Sequence, residues 1–185
     1  IPSENKPSLK DVKVDGRLKD PDKIKAAQEK GQLDQWKKQA LISYKGRILM
    51  IGLAINDEDP IALLGTEYEI LKQLQAIVEK YDAVEWIAHN VKFDMLYIYQ
   101  RALKFKLTKL MDSINADRYR GNLTCTMDLF GGGIEWNYKV KFKAACNFFG
   151  IETKTRMDGS EVFDYWQRGD IDEIIEYCLE DDVKP

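Results

Sequence analysis

The sequence has little of what marks several large classes of protein. Three cysteines occur in 185 residues, and none forms a Cys-x-x-Cys pair, so neither a disulfide framework nor a cysteine zinc site is indicated. All three stand beside apolar residues, which predicts buried thiols in a reducing compartment, the cytoplasm. The longest apolar run, residues 48–55, is far shorter than the roughly 20 residues that span a bilayer, so we expect no membrane partner.

A surplus of basic charge is missing as well. Lysine and arginine together number 28 against 31 aspartate and glutamate residues, which gives a formal net charge of −3. This balance excludes a polyanion-binding protein held by bulk charge. It does not exclude a nucleic-acid enzyme, because bound divalent cations supply positive charge locally. A chain of this length buries roughly 70% of its unfolded surface and needs no structural metal to fold.

The beginning of the chain is poor in apolar residues. It is highly charged and is interrupted by prolines and glycines. Asp20 and Pro21 predict a helix start, with Asp20 as the cap and Pro21 at the first helical position. Because this segment has too few apolar residues for a core of its own, we predict a single domain over residues 1–185. Residues 1–46 are then a charged insertion, and residues 47–185 are the core.

Further along, the pattern changes to strands and helices. Residues 47–56 are almost continuously apolar, which predicts a strand buried on both faces, and residues 61–64 are its predicted hairpin partner. Thr66 and Glu69 form a capping box that opens a helix. Residues 84–88 are a third predicted strand, and another helix follows. A hairpin followed by alternating strands and helices predicts an α/β fold with a mixed sheet and helices on both faces.

The second half of the chain is less regular. Residues 125–130 predict a short strand, and a later helix ends at Gly150, a suitable left-handed cap. Residues 151–169 are predicted to form a loop with a turn at Asp158. The last predicted helix opens at Asp170, which we expect to cap it.

Polar residues directly follow the third predicted strand, in the segment HNVKFD at residues 89–94. Ligands bind at the carboxyl ends of strands in open α/β sheets, and Asp94, in the first helical turn, is placed to hold a carboxylate over that edge. Asn90 is placed to cap the helix or to contact a ligand. The structural alternative is that Asp94 only complements the helix dipole.

A second polar pair, Tyr177 and Asp181, lies on the last predicted helix. The i, i+4 spacing puts both on one face, one turn apart. A phenol beside a carboxylate can position a water molecule on a metal ion that the carboxylate holds. The alternative is an exposed tyrosine above an acidic turn. Residues 180–182 are all acidic and stand where the helix dipole favours cations, and such violations of a local rule are typical of functional sites.

The two motifs together resemble a known group of enzymes. Asn90-x-x-Phe93-Asp94 after a strand resembles the second motif of the DEDD exonuclease superfamily. Tyr177-x-x-x-Asp181 on a late helix resembles the third motif, in the tyrosine variant found in the proofreading domains of family-B DNA polymerases. The segment KGRILMIGLAI resembles the second strand of that fold. The resemblance covers nearly all of the predicted core and is closest to the predicted 3′–5′ exonucleases related to that proofreading domain.

The first motif of the family, Asp-x-Glu on the first strand, is absent from the chain. In this group the motif commonly reads Asp-x-Glu-Thr followed by Ile-Pro or Val-Pro, and the chain begins Ile1-Pro2. We therefore expect a buried strand that ends in Asp-x-Glu just upstream of Ile1 and lies beside residues 47–56. Half of the family's metal-binding carboxylates then precede the chain, and without them it should bind metal weakly.

The resemblance implies a ribonuclease H-like fold that hydrolyses the 3′-terminal phosphodiester bond with two divalent metal ions, Mg²⁺ or Mn²⁺. Two such ions, about 4 Å apart, stabilise the attacking and leaving oxygens, and carboxylate ligands favour these metals over zinc. By the same resemblance, Asp181 ligates the metal that carries the nucleophilic water, and Tyr177 orients that water. Asp94 holds the second metal, and Asn90 and Phe93 lie near the terminal nucleotide.

The leading interpretation is therefore a 3′–5′ exonuclease that acts on single-stranded 3′ ends of DNA and releases nucleoside monophosphates. Two alternatives stay open: a catalytically inactive ribonuclease H-like module that binds nucleic acid or protein, and an RNA-trimming enzyme of the same chemistry. A native Asp-x-Glu before Ile1 would favour an enzyme. His89 is interpreted as structural, and Lys139, Lys141 and Lys143 as a solvated face or as phosphate contacts. The sequence leaves the oligomeric state open.

Overall fold

The chain divides at Arg47 into two units, Ile1–Arg47 and Ile48–Pro185. The second unit combines helices with small sheets, so the predicted α/β class is confirmed. The assignment of the whole chain to a single domain stays a prediction. The computed structural model describes residues 1–3, 5–117, 120–132, 134, 139–151 and 157–183, with the backbone alone for residues 181–183.

The first unit contains one long helix, α1 (Pro21–Gln39), after a short 3-10 helix at Leu9–Asp11. The Asp20 carboxylate caps α1, because it accepts hydrogen bonds from the backbone N–H groups of Asp22 and Lys23. The predicted helix start is therefore confirmed.

Contacts in the first unit join α1 to the residues before it. Trp36, the buried residue of α1, donates its indole N–H to the carbonyl of Ser3 at 2.8 Å. Gly31 lies inside the helix because Val12 packs against it: a Cβ built on Gly31 would come within 2.5 Å of Val12 Cγ1. Val12 and Trp36 are both buried hydrophobic side chains of this unit.

The second unit opens with an antiparallel pair, β1 (Ile51–Leu53) and β2 (Ile61–Leu63). Ile51 stands opposite Leu63, which confirms the predicted hairpin. However, β1 is shorter than the predicted strand over residues 47–56 and is only half-buried, so the predicted burial on both faces is wrong. A continuously apolar run is typical of a strand inside a fully covered sheet, and among the described residues β1 pairs with β2 alone.

Three helices form the core of the second unit: α2 (Glu67–Val78), α3 (Val91–Lys104) and α4 (Thr108–Asp112). The predicted capping box is confirmed, because Thr66 Oγ1 accepts a hydrogen bond from the N–H of Glu69 and the Glu69 carboxylate accepts one from the N–H of Thr66. The largest fully buried side chains of this core are Ile70, Leu71, Leu74, Val91 and Leu110. Each contributes roughly 1.5–3 kcal/mol of burial energy, which fixes α3 in place.

Tyr97 lies on the buried side of α3, with its ring centroid 6.0 Å from that of Phe93. Burial raises the pKa of its phenol to about 12, while the nearby charge of Arg101 lowers this pKa and that of Glu67 raises it. A phenol in the unfolded chain titrates near pH 10. The unfolded chain therefore loses this proton at a lower pH than the folded protein does.

We expect this phenol to steepen the loss of stability at alkaline pH. Below about pH 10 the phenol is protonated in both the folded and the unfolded state, and Tyr97 makes its full contribution to the free energy of unfolding. That contribution falls by about 2 kcal/mol as the pH rises through about 12. When the free energy of unfolding, measured with urea, is plotted against pH between about pH 9 and 12, it should fall less steeply for Tyr97→Phe than for the wild type. Tyr81→Phe, at an exposed phenol, is the matched control and should keep the wild-type slope. Equal slopes in all three proteins would contradict the assignment.

The second sheet is a parallel pair, β3 (Trp86–Ala88) and β4 (Leu123–Cys125). Because Ala88 stands opposite Cys125, the two strands end at the same edge. α3 and α4 lie between them in sequence, and α3 contacts both strands, so β3, α3 and β4 pack as a strand–helix–strand unit. The carboxyl edge of this unit is where α3 begins.

The strand predicted over residues 125–130 is wrong in its position. β4 ends at Cys125, and the next residues form a helix, α5 (Thr126–Phe130). The physical reason lies in the neighbouring strand. The chain leaves β3 at Asn90, which has a left-handed conformation, so β3 offers no backbone for residues beyond Cys125 to pair with.

The four strands form two separate two-stranded sheets within the described ranges. The predicted single mixed sheet is therefore not seen there, because no ladder joins the β1–β2 hairpin to β3 or β4. Antiparallel and parallel pairs both occur, as a mixed sheet requires. A strand has two edges for hydrogen bonding, and in this part of the structure β1 and β3 each use one for strand pairing.

Two further helices follow, α6 (Phe142–Phe148) and α7 (Val162–Arg168). Gly150, just after α6, has φ 72°, which confirms the predicted left-handed cap. The prediction of a continuous loop after Gly150 is wrong, because α7 forms there. Its side chains at spacing i, i+3 explain the helix: Phe163 is buried, and its ring centroid lies 5.7 Å from that of Trp166.

The described chain ends in α8 (Ile171–Tyr177), which continues as a π-helix over Cys178–Val183. The predicted cap at Asp170 is wrong: its side chain makes no capping hydrogen bond to α8. The carboxylate instead accepts a hydrogen bond from Arg168 Nε at 2.7 Å. A nearby cation has displaced the helix N–H groups as the partner of this carboxylate.

The cysteines agree with the expectation of buried thiols. Cys125 and Cys146 are buried, Cys178 is half-buried, and none of the three forms a disulfide bond. Across the described residues, no helix is both long and apolar enough to cross a bilayer. Location in the cytoplasm stays a prediction.

Candidate active site

The motif Asn90-x-x-Phe93-Asp94 lies where β3 passes into α3. Asn90 has φ 63°, a left-handed conformation that asparagine tolerates better than most residues. Its exposed side chain makes no capping hydrogen bond to α3, so the capping role is wrong and contact with a ligand stays a prediction. Phe93 is 41% exposed. Asp94 is half-buried in the first turn, between the buried residues Val91 and Met95.

His89 is held by protein groups on both sides of its ring. Nε2 lies 2.7 Å from the carbonyl oxygen of Val140, and Nδ1 lies 3.1 Å from Thr126 Oγ1. A carbonyl only accepts, so Nε2 carries a proton, and in the neutral ring Nδ1 accepts from the Thr126 hydroxyl. The ring also packs at 5.3 Å against that of Phe142. These contacts support the structural interpretation of His89 and join the end of β3 to α5 and to the residues before α6.

Tyr177 is the last residue of α8 and is half-buried. Its hydroxyl faces the turn at Gly159: a Cβ built on Gly159 would lie 3.8 Å from that oxygen. The backbone of Asp181 belongs to the π-helix that follows. The two motif residues are therefore not one turn apart on a regular α-helix, as the spacing predicted. Single turns of π-helix occur frequently at functional sites.

The turn that faces Tyr177 carries a charged group of its own. The predicted turn is confirmed, because the Glu161 N–H donates to the Asp158 carbonyl at 2.8 Å. Hydrogen bonds from the Ser160 backbone and hydroxyl lower the pKa of Asp158, and the charges of Lys141 and Lys143 lower it further. The turn therefore lies in the electrostatic field of the lysines before and within α6.

The candidate residues lie on two parts of the second unit. Asp94 is on α3, which contacts β3 and β4, whereas the π-helix that contains Asp181 contacts β1 and β2. Two sets of contacts connect these parts to the region of α6. His89 binds the residue two before α6, and Tyr177 faces the turn at Gly159, which lies near the lysines of α6. The direct approach of Asp94 to Asp181 stays a prediction.

The chemistry of the candidate ligands fits Mg²⁺ or Mn²⁺ in kind. Asp94 and Asp181 offer carboxylate oxygens, which these hard cations prefer over nitrogen and sulfur. Among the side chains that the structure describes, no three His, Cys, Asp or Glu residues form a group that could hold a metal ion. The Asp-x-Glu motif expected upstream would add further carboxylates to these two.

Sequence reasoning missed an aromatic cluster beside His89, made by Phe130, Phe148 and Phe149. The ring centroids of its three pairs are 5.2–5.8 Å apart, and the rings are nearly perpendicular. One sequence signal could have indicated it. Phe148 and Phe149 are adjacent, and two neighbouring positions of a helix cannot both face the same core.

Comparison with known proteins connects the chain to nucleases. Residues 45–184 match the model of a family described as "predicted 3′-5′ exonuclease related to the exonuclease domain of PolB". An uncharacterised protein of Methanocaldococcus jannaschii is 28% identical over 123 residues, which are 66% of this chain and 68% of that protein. A DNA polymerase of Archaeoglobus fulgidus is 24% identical over 149 residues, which are 75% of this chain but only 19% of the polymerase. No solved structure matches the chain.

The family match covers well over half of the chain. It includes the whole second unit except its last residue, and with it β3, α3 and the helix that ends at Tyr177. It also includes both motifs from which the resemblance to proofreading exonucleases was inferred. The chain therefore belongs to the family of predicted 3′–5′ exonucleases related to the exonuclease domain of family-B DNA polymerases.

Proposed function

We propose that this chain is the main part of a 3′–5′ exonuclease domain that hydrolyses the 3′-terminal phosphodiester bond of single-stranded DNA and releases nucleoside monophosphates. One observation carries the proposal. Asp94 is in the first turn of the helix that directly follows β3, at the edge where two parallel strands end. Ligands of open α/β sheets bind at such an edge, and the family match supplies the reaction class.

The proposal includes a ribonuclease H-like sheet. The antiparallel β1–β2 pair and the parallel β3–β4 pair would become one mixed sheet if a strand bonded to the edges of β1 and β3 that no described strand uses. The expected strand with the Asp-x-Glu motif has this role in the proposal. Residues 1–46 are then an insertion in a single domain. A native sequence without an acidic pair shortly before Ile1 would contradict this part of the proposal.

Asp94 and Asp181 are the proposed ligands of two divalent cations, Mg²⁺ or Mn²⁺. When bound, such cations stabilise the negative charge of the attacking and leaving oxygens. The exposed ring of Phe93 and the exposed amide of Asn90 stand at the start of α3, where they would contact the terminal nucleotide. The scissile phosphate would then lie beside the Asp94 carboxylate.

Tyr177 is proposed to position the attacking water through its hydroxyl. A phenol with an ordinary pKa of about 10 keeps its proton at neutral pH, so it cannot act as an efficient general base. It can, however, hold a water molecule by a hydrogen bond. The hydroxyl faces Gly159, and a residue without a side chain leaves space beside the oxygen.

Tyr177→Phe tests this positioning role, because it keeps the ring and removes the hydrogen bond. In the full-length native protein we expect turnover on a 5′-labelled single-stranded oligonucleotide to fall about ten- to a thousandfold, on the order of 1–4 kcal/mol. The metal concentration for half-maximal activity should stay nearly unchanged. Tyr165→Phe on neighbouring α7, where the ring packs under Arg168, is the matched control. Wild-type turnover by Tyr177→Phe, or its rescue by more metal, would contradict the role.

A catalytically inactive nucleic-acid-binding module is the second candidate. The same labelled oligonucleotide separates the two candidates, since an exonuclease shortens it stepwise from the 3′ end with Mg²⁺ or Mn²⁺ and a binding module leaves it intact. A matched RNA oligonucleotide in parallel would reveal an RNA-trimming enzyme, which the family match also allows.

A further inference from the structure

An apolar groove of about 330 Å³ opens beside His89, between α5 and α6. Its walls include Leu129 and Phe130 from α5, Phe142 from α6, and Phe149 and Ile151 from the residues after α6. The volume is at the lower end of the range for small-molecule sites. It therefore suits a flat group rather than a folded peptide segment.

The rim of this groove exposes aromatic surface to water. Phe148 is 74% exposed and Phe149 is 66% exposed. Their rings pack edge to face with each other and with Phe130, with centroids 5.2–5.8 Å apart, and this geometry is favourable for aromatic groups. A contiguous exposed apolar surface of this kind marks a binding site more often than an accident of packing.

The polar side chains in the groove already have partners. His89 and Thr126 contact each other through Nδ1 and Oγ1, and His89 Nε2 donates to Val140. An occupant would therefore be recognised by shape and stacking rather than by hydrogen bonds to these groups. The faces of nucleobases meet this requirement, since every base has one and stacking tolerates any sequence.

Positive charge stands beside the groove. Lys139, Lys141 and Lys143 are exposed, and Phe142, between the last two, lines the groove. Lysine is depleted at protein–protein interfaces, whereas a cationic track beside aromatic rings is the arrangement that holds single-stranded nucleic acid. The charges of Lys141 and Lys143 interact with the Asp158 carboxylate, which neutralises part of their positive charge. Stacking therefore has to contribute much of the affinity for nucleic acid.

We propose that this groove binds unpaired nucleobases of the substrate strand next to its 3′-terminal nucleotide, while the lysines contact the phosphates. The inference rests on the proposed function for one point, the terminal nucleotide beside Asn90. His89 lines the groove and directly precedes Asn90, so the groove is close to the proposed position of the terminal nucleotide. Recognition by stacking makes the site indifferent to base identity and selective for single strands.

The test is oligonucleotide binding without hydrolysis. Fluorescence anisotropy measures the affinity of the full-length native protein, in EDTA, for a labelled single-stranded DNA of mixed sequence. We expect Phe148→Ala and Phe149→Ala each to weaken binding about 5- to 100-fold. Tyr81→Ala, at an aromatic residue outside the groove that is 43% exposed, should bind like the wild type. Thermal melting should show all three variants folded, because none of the replaced side chains is buried.

A second measurement identifies the partner of Phe149 on the nucleic acid. An abasic site two or three nucleotides from the 3′ end should weaken binding to the wild type but have little effect on Phe149→Ala, because that variant has already lost the stacking contact. Lys141→Gln should instead reduce the salt dependence of binding and leave the abasic effect in place. This contrast separates stacking from phosphate contact.

Several results would overturn the inference: no binding by the wild type, equal affinity of the phenylalanine variants and the wild type, or an equal loss for Tyr81→Ala. Self-association in sedimentation that Phe149→Ala abolishes would assign the patch to a second copy of the chain instead.

The outcomes also separate this inference from the proposed function. Nucleotide release together with normal binding by Phe149→Ala would refute only the groove. Binding through the groove without nucleotide release would refute only the hydrolytic function.

Discussion

Asp181→Asn should lower the Mg²⁺- or Mn²⁺-dependent release of nucleotides from a 3′ end about a thousandfold or more, on the order of 4 kcal/mol. The substitution keeps the size of the side chain and one oxygen but removes the negative charge. A hard divalent cation binds a neutral amide more weakly than a carboxylate. The measurement is single-turnover digestion of a 5′-labelled oligonucleotide by the full-length native protein, with a metal titration for each variant.

Asp172→Asn is the matched control for this substitution. Asp172 is an exposed carboxylate in the first turn of α8, so the same change in charge on the same helix should leave activity unaltered. Asp94→Asn should behave like Asp181→Asn. Nucleotide release at the wild-type rate by Asp181→Asn would refute the assignment of this residue as a ligand. Circular dichroism and the melting temperature establish that each variant is folded.

The metal titration also distinguishes Asp181 from Tyr177. Loss of a ligand raises the metal concentration needed for half-maximal activity, and excess metal then recovers part of the rate. Loss of a positioning hydroxyl lowers the maximal rate at every metal concentration. If both variants shifted the midpoint in the same way, the two residues would share one role. The contrast is therefore a test of the geometry proposed for the end of α8.

Features that depend on a few neighbouring residues could be predicted from the sequence. The cap at Asp20, the capping box of Thr66 with Glu69, and the left-handed Gly150 are all confirmed. Each of these depends on hydrogen bonds or backbone angles within one turn of the chain. Asp170 is the exception, because Arg168 binds its carboxylate instead. A local signal fails where a competing charge lies equally close.

Features that depend on distant partners could not be predicted in the same way. A strand ends where its neighbour ends, so β4 stops at Cys125 because β3 stops at Ala88, although the apolar residues continue. The same reasoning applies to the sheets. Hydrophobic pattern indicates which residues form strands, but pairing depends on which edges meet, and in the described residues the four strands form two pairs.

The same distinction between local and distant partners applies to the candidate site. The position of Asp94 after a strand and in the first turn of a helix could be predicted, because the motif and both elements are contiguous in sequence. The partners of His89, at Thr126 and Val140, could not, since they lie on elements that only the fold brings together. The aromatic groove depends on the same contacts between α5 and α6. Its walls come from separate elements that only the three-dimensional structure brings together.

Stability of the second unit should depend strongly on one buried ion pair between α2 and α3. Side chains of Arg101 and Glu67 are only 8% and 10% exposed. Arg101 donates from Nε to Glu67 Oε1 at 2.7 Å and from Nη2 to Oε2 at 2.5 Å. Glu67 Oε1 also accepts the backbone N–H of Ile48 at 2.8 Å. One carboxylate thus joins the start of α2, the buried side of α3 and the segment that leads into β1.

Arg101→Met should destabilise the protein by about 3–5 kcal/mol, because it leaves a buried carboxylate without its main counter-charge. Lys104, 3.9 Å from Glu67 Oε2, is too exposed to replace it. Glu67→Met should lower the free energy of unfolding by a similar amount, because it leaves the buried guanidinium of Arg101 without its counter-charge. The double variant should lose far less than the sum of the two, since apolar residues of similar volume replace a buried pair at little or no cost.

The measurement is urea unfolding at neutral pH of the wild type, the two single variants and the double variant, which together form a double-mutant cycle. Arg168→Met is the matched control, because Arg168 pairs with Asp170 at the surface, where the side chains are 54% and 36% exposed; its unfolding midpoint should equal that of the wild type. The expected coupling is large because water cannot screen charges in the core. Additive losses in the double variant would show that each side chain acts through its own packing, and the ion pair would then not connect α2 to α3.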